Sequence, residues 1–170
     1  MRPIKVAWVN DIVSSLGRTP EEEAAEEFQM LQEILGYRLE MVARDRFVEN
    51  VEQIDIDLLV FDYGGAASSY SDTPWTQLEA ACRWAQEHPG RLVLLYSSFT
   101  GRMYEDLVKH EAYQELKSDN VMYWHLPGYG HTIRDEMKHQ DQIKVWFTGG
   151  EFEPYDNPAP SSLKTPGRLT

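Results

Sequence analysis

Residues 58–65 read LLVFDYGG. Leu58, Leu59, Val60 and Phe61 are apolar without alternation, Asp62 ends the run, and Gly64-Gly65 follow. With Asp57 in front, residues 57–61 predict a strand that is apolar on both faces. Such strands lie in the middle of parallel sheets, with helices covering either side. The two glycines permit a tight or left-handed turn beyond it. Asp62 is then either a chemical group held at a strand tip or the first polar residue of a loop.

Working outward, other short apolar runs flank this one. Residues 4–9, IKVAWV, read as a buried strand, as do residues 92–96 and a run near 121–125. Leu39–Ala43 alternates weakly, as an edge strand would. Helices are predicted between these runs. Thr19 is placed as an N-cap, Pro20 at the first helical position and Glu22 in a capping box. Glu21, Glu22 and Glu23 suit the positive end of the helix dipole. Phe28, Leu31, Ile34 and Leu35 form an apolar stripe at helical spacing, and Gly36 is a natural stop.

A short helix is expected over 46–54, with Phe47, Val51 and Ile54 inward. Asp72-Thr73-Pro74 starts a second strong helix, with Leu78, Ala81, Cys82 and Ala85 on one side, and His88-Pro89-Gly90 ends it. A further helix runs from about 101 to 116. Residues 131–147 contain a last helix, or else IKVWF is a strand. Strand and helix alternate five times, which predicts an α/β fold. It is a flavodoxin-like, doubly wound five-stranded parallel sheet, order 2-1-3-4-5, in a single domain. The domain is placed at 1–148. Residues 149–170 carry Pro, Gly and Ser without periodicity and are expected to be a flexible C-terminal tail.

Composition excludes several functions. The chain has 170 residues, 42% apolar and 26% charged, with a formal net charge of −12. Phosphate backbones are repelled by such a surface, and Asp45 separates Arg44 from Arg46, so no nucleic-acid partner is expected. No apolar run approaches the roughly 20 residues of a membrane helix, so no membrane partner is expected. No signal peptide is visible. The single cysteine, Cys82, cannot form an internal disulfide, and cytoplasmic localisation is the expectation.

In open parallel sheets, ligands meet the chain at the carboxyl ends of the strands. Asn10 and Asp11 follow the first strand, Asp62 the third, Ser97 and Ser98 the fourth, and His125 the fifth. In the order 2-1-3-4-5, Asp11, Asp62 and Ser97 converge. Two nearby carboxylates repel when both are ionised. A hard cation such as Mg²⁺, bound by Asp11 and Asp62, relieves that repulsion. Ser97 is placed to contact a phosphoryl oxygen. The plainer reading, that polar residues begin the loop at every strand end, stays open.

The order of these motifs over residues 4–147 resembles the receiver domain of two-component response regulators. Val9-Asn10-Asp11 stands where that family has an acidic pair. LGYRLEMVARD is similar to its glycine, second strand and turn. IDLLVFD is similar to the third strand ending in the phosphoacceptor, here Asp62, and LVLLYSS to the fourth strand ending in Ser or Thr, here Ser97. The departures also matter. Leu126-Pro127 replaces Lys-Pro, Asn10 replaces an acid, the loop from Asn10 to Arg18 is long, and Tyr-Gly-Gly follows Asp62. The resemblance therefore implies a degenerate receiver, or pseudo-receiver. Such a domain works as a regulatory module that binds a protein partner without ordinary phosphorylation. Lys138 or Lys144 would restore a switch by reaching the crevice in place of the missing lysine.

Other constellations compete with this reading. Ser14–Thr19 is similar to a flavodoxin phosphate loop, and Tyr70, Trp75 and Tyr104 offer stacking surfaces for a flavin or nucleotide. His131, Asp135 and His139, four apart, suit zinc or manganese on one helix face, with His125 upstream, as in a metal-dependent hydrolase. FDYGG is faintly similar to the haloacid-dehalogenase-like nucleophile motif, but Gly64 stands where a second aspartate belongs. Ser97-Ser98 lacks a nucleophile elbow. Cys82 falls on an apolar stripe and reads as core. Trp8 and Trp84 read as core, and Trp75, Trp124 and Trp146 as a contact surface for a partner.

Overall fold

The computed structural model describes residues 1–10, 22, 25–62, 73–97, 109–125 and 141–156. Five strands form one parallel sheet: β1 (Ile4–Asn10), β2 (Leu39–Asp45), β3 (Leu58–Asp62), β4 (Leu92–Ser97) and β5 (Val121–His125). Their spatial order is β2-β1-β3-β4-β5, the order expected from the sequence. The described helices are α1 (Ala25–Leu35), α2 (Thr73–Glu87) and α3 (Glu111–Leu116). Residues 141–145 are also helical, which decides against a strand at IKVWF.

Side chains alternate across the sheet into two cores. Ile4, Val6, Trp8, Leu58, Val60, Leu94 and Trp124 pack with Phe28, Leu31 and Leu35 of α1 and with Ile143 and Phe147. Ala7, Val9, Leu59, Phe61, Val93 and Tyr123 pack with Leu78, Ala81, Cys82 and Ala85 of α2. Both faces of β3 are thereby covered, which is why its sequence is apolar throughout. The stripe predicted for the first helix is the one that α1 buries, and Gly36 ends that helix at φ +76°. β2 is an edge strand, and the pairing register with β1 shifts between Val6 and Ala7. Such a bulge blunts an edge against pairing with other chains.

Three expectations need correction. The short helix over 46–54 is a single 3-10 turn at Val48–Asn50. Val48 and Val51 are buried there, but Ile54 is exposed. Trp124 is fully buried and offers no contact surface, because β5 carries it into the α1 face of the sheet. Trp146 is half-buried against the same core.

The packed chain also continues beyond 148, where the tail was expected to begin. Arg2 bridges Phe152 in parallel, and Tyr37 bridges Pro154 in antiparallel. The Arg2 N–H donates to the Glu151 carbonyl, the Glu153 N–H to Arg2, the Arg38 N–H to Glu153 and the Tyr155 N–H to Gly36. Phe152 meets Phe147 and Tyr37 edge-on, with ring centroids 5.2 and 6.3 Å apart. Residues 151–155 are therefore a strap across the amino pole of the sheet. Aromatic side chains without periodicity were its only signal in the sequence.

Candidate functional site

At the carboxyl edge the strands end nearly level. Asn10 stands opposite Asp62 in the β1–β3 register, Asp62 opposite Tyr96, and Tyr96 opposite Trp124. Ser97 stands one position further, opposite His125. The order β1-β3-β4 thus brings Asn10, Asp62 and Ser97 to one stretch of edge; the convergence expected from the sequence was of Asp11, Asp62 and Ser97. Asp62 is half-buried. Its neighbour across the ladder is Asn10, whose side chain is a neutral amide. Asp11 and Leu126 lie outside the described residues.

Below this edge, on the α1 face, three aromatic rings form a floor. Tyr96 lies between Trp8, at 5.6 Å and edge-on, and Trp124, at 4.5 Å and tilted. All three are at most 1% exposed. Such pairs add about 0.5–1.5 kcal/mol each beyond area burial. They give Asp62 a rigid support, since Tyr96 is its direct ladder neighbour. The Trp124 indole N–H is buried without a hydrogen-bond partner among the described residues. The sequence reading missed this floor because it placed Trp124 at the surface.

The competing constellations are not brought together by anything described. Ser14–Thr19, Tyr70, Tyr104, His131, Asp135, Lys138 and His139 all lie outside the described residues. Lys144 is exposed on the 141–145 helix. Among the described residues, no group of three or more His, Cys, Asp or Glu side chains is arranged to hold a metal. No described helix is long and apolar enough to cross a membrane. Cys82 is buried, and desolvation pushes its thiol pKa up to about 12, as befits a core residue.

Among the described residues, a charge cluster lies at the other pole, where β3 begins. The Arg2 guanidinium donates to both carboxylate oxygens of Asp57, at 2.6 and 2.7 Å, and the Lys5 N–H donates at 2.9 Å. Arg91 adds a longer contact of 3.3 Å to Asp57 and another of 3.3 Å to Asp55. Burial alone would raise the Asp57 pKa. The Arg2 and Lys5 hydrogen bonds and the two guanidinium charges outweigh it and hold the pKa below the ordinary carboxylate value. This cluster fastens the sheet and is remote from Asp62.

The geometry defines a doubly wound α/β sandwich with a polar carboxyl edge centred on β1, β3 and β4. No family model and no curated protein matches the sequence. Similar solved structures are response regulators or their receiver domains. One, a CheY-like response regulator receiver domain from Methanospirillum hungatei JF-1, is 13% identical, with a TM-score of 0.43 over 87% of this chain and 99% of that one. Another, from Clostridium thermocellum, is 13% identical, with a TM-score of 0.40 over 83% and 94%. The Salmonella typhimurium RcsB response regulator is 12% identical, with a TM-score of 0.43 over 93% and 74%. At these identities the likeness concerns the fold, and residue roles are not transferred through it.

Proposed function

We propose that the protein is a cytoplasmic receiver-like regulatory module that acts by binding a protein partner, without ordinary phosphorylation switching. The observation that supports this most is the register at the carboxyl edge. Asp62 sits at the tip of the central strand, with Asn10 and not an acid beside it, and Ser97 follows on the next strand. This is the place of a phosphoacceptor. One of the charges that would serve it is replaced by an amide, and the lysine expected to follow the fifth strand is Leu126. Asp11 and Asp62 are the carboxylates that would hold Mg²⁺, and that ion would supply charge neutralisation at the edge. With a neutral Asn10 the pair is a poor cation site, which favours the non-switching reading.

The test is direct. The full chain is incubated with an acyl phosphate and Mg²⁺, and its intact mass is measured alongside Asp62→Asn. We expect no change in mass. A gain of one phosphoryl group that disappears in Asp62→Asn would overturn the non-switching reading and restore Asp62 as a phosphoacceptor.

A further inference from the structure

We draw no further inference here: the strongest candidate, the Trp124 indole N–H buried beneath the carboxyl edge without a hydrogen-bond partner among the described residues, belongs to the site already described, and nothing in the structure shows what would meet it there.

Discussion

Arg2 and Asp57 are 55 residues apart in sequence and joined by two short hydrogen bonds, from Nη1 to Oδ2 at 2.6 Å and from Nη2 to Oδ1 at 2.7 Å. Asp57 is nearly buried, with 8% of its side chain exposed, while the Arg2 side chain is about half exposed. The same arginine pairs its backbone with the strap and lies over the Phe152 ring, 4.9 Å from its centroid. One residue therefore ties the start of the central strand to the C-terminal strap.

Breaking this pair should destabilise the whole domain. Asp57→Ala leaves the Lys5 N–H and the Arg2 guanidinium without their acceptor, and hydrogen bonds to charged groups are worth about 1.5–3 kcal/mol each. We expect a loss of ~2–4 kcal/mol by urea unfolding. The pH dependence follows from the lowered Asp57 pKa. A depressed carboxylate pKa adds stability that is fully present above the unfolded-state value, about 4. That stability fades as pH falls from there through the folded-state value. Asp57→Asn should therefore lose less stability on acidification than the natural chain. Equal acid slopes would refute the assignment.

Asn120 predicts a second weak point. Its Nδ2 donates to the carbonyls of Ala85, His88 and Arg91 at 2.8, 3.0 and 2.9 Å, and its Oδ1 accepts from the Ser118 hydroxyl at 2.7 Å. One buried amide thereby joins the end of α2 to the starts of β4 and β5. Asn120→Ala should cost about 1–3 kcal/mol, since the Ala85, His88 and Arg91 carbonyls each lose one donor, while those of Ala85 and His88 keep a backbone N–H. Asn120→Asp should cost at least as much, because a carboxylate faces those carbonyls. Denaturant midpoints of the two variants check this order.

The sheet was legible because its evidence is local. Residues 58–61 are apolar on both faces, and that alone places β3 centrally with helices on either side. The Phe28, Leu31 and Leu35 stripe and Gly36 likewise announce α1 and its end. The strand order followed from the alternation of strand and helix, and it sets the ends of β1, β3 and β4 side by side. Trp124 and the strap were not legible for the same reason that β3 was. A tryptophan in a short edge strand reads alike whether its face is covered or bare. The covering residues, Ile143 and Phe147, come from a segment whose own helix was in doubt. Residues 151–155 are held by Arg2, Gly36 and Arg38, partners more than 100 positions away that no local pattern records.

Cys82 should be chemically silent in the folded protein. It is fully buried on the inner face of α2, with its pKa raised by desolvation to about 12. The thiolate is the reactive form, so both access and ionisation oppose modification. A thiol reagent at pH 8 should label it only at the rate of unfolding, and stoichiometrically in denaturant. Rapid labelling under native conditions would contradict its place in the core.

The strap provides the last prediction. Phe152 packs against Phe147 and Tyr37, and a Cβ built at Gly150 would come within 2.7 Å of the Phe152 ring. Phe152→Ala removes a half-buried ring and should cost ~1–3 kcal/mol, below the 3–5 typical of a fully buried phenylalanine. Gly150→Ala should act in the same direction by displacing that ring. Ending the chain after Thr148 removes the partners of Arg2 and Arg38 as well, so its loss should exceed that of Phe152→Ala. Amide hydrogen exchange gives the location. Arg38, whose N–H is held by Glu153, should lose protection in the shortened chain, while the centre of β3 keeps it relative to global stability. If Arg38 exchanged equally in both chains, the strap would not be docked there in solution.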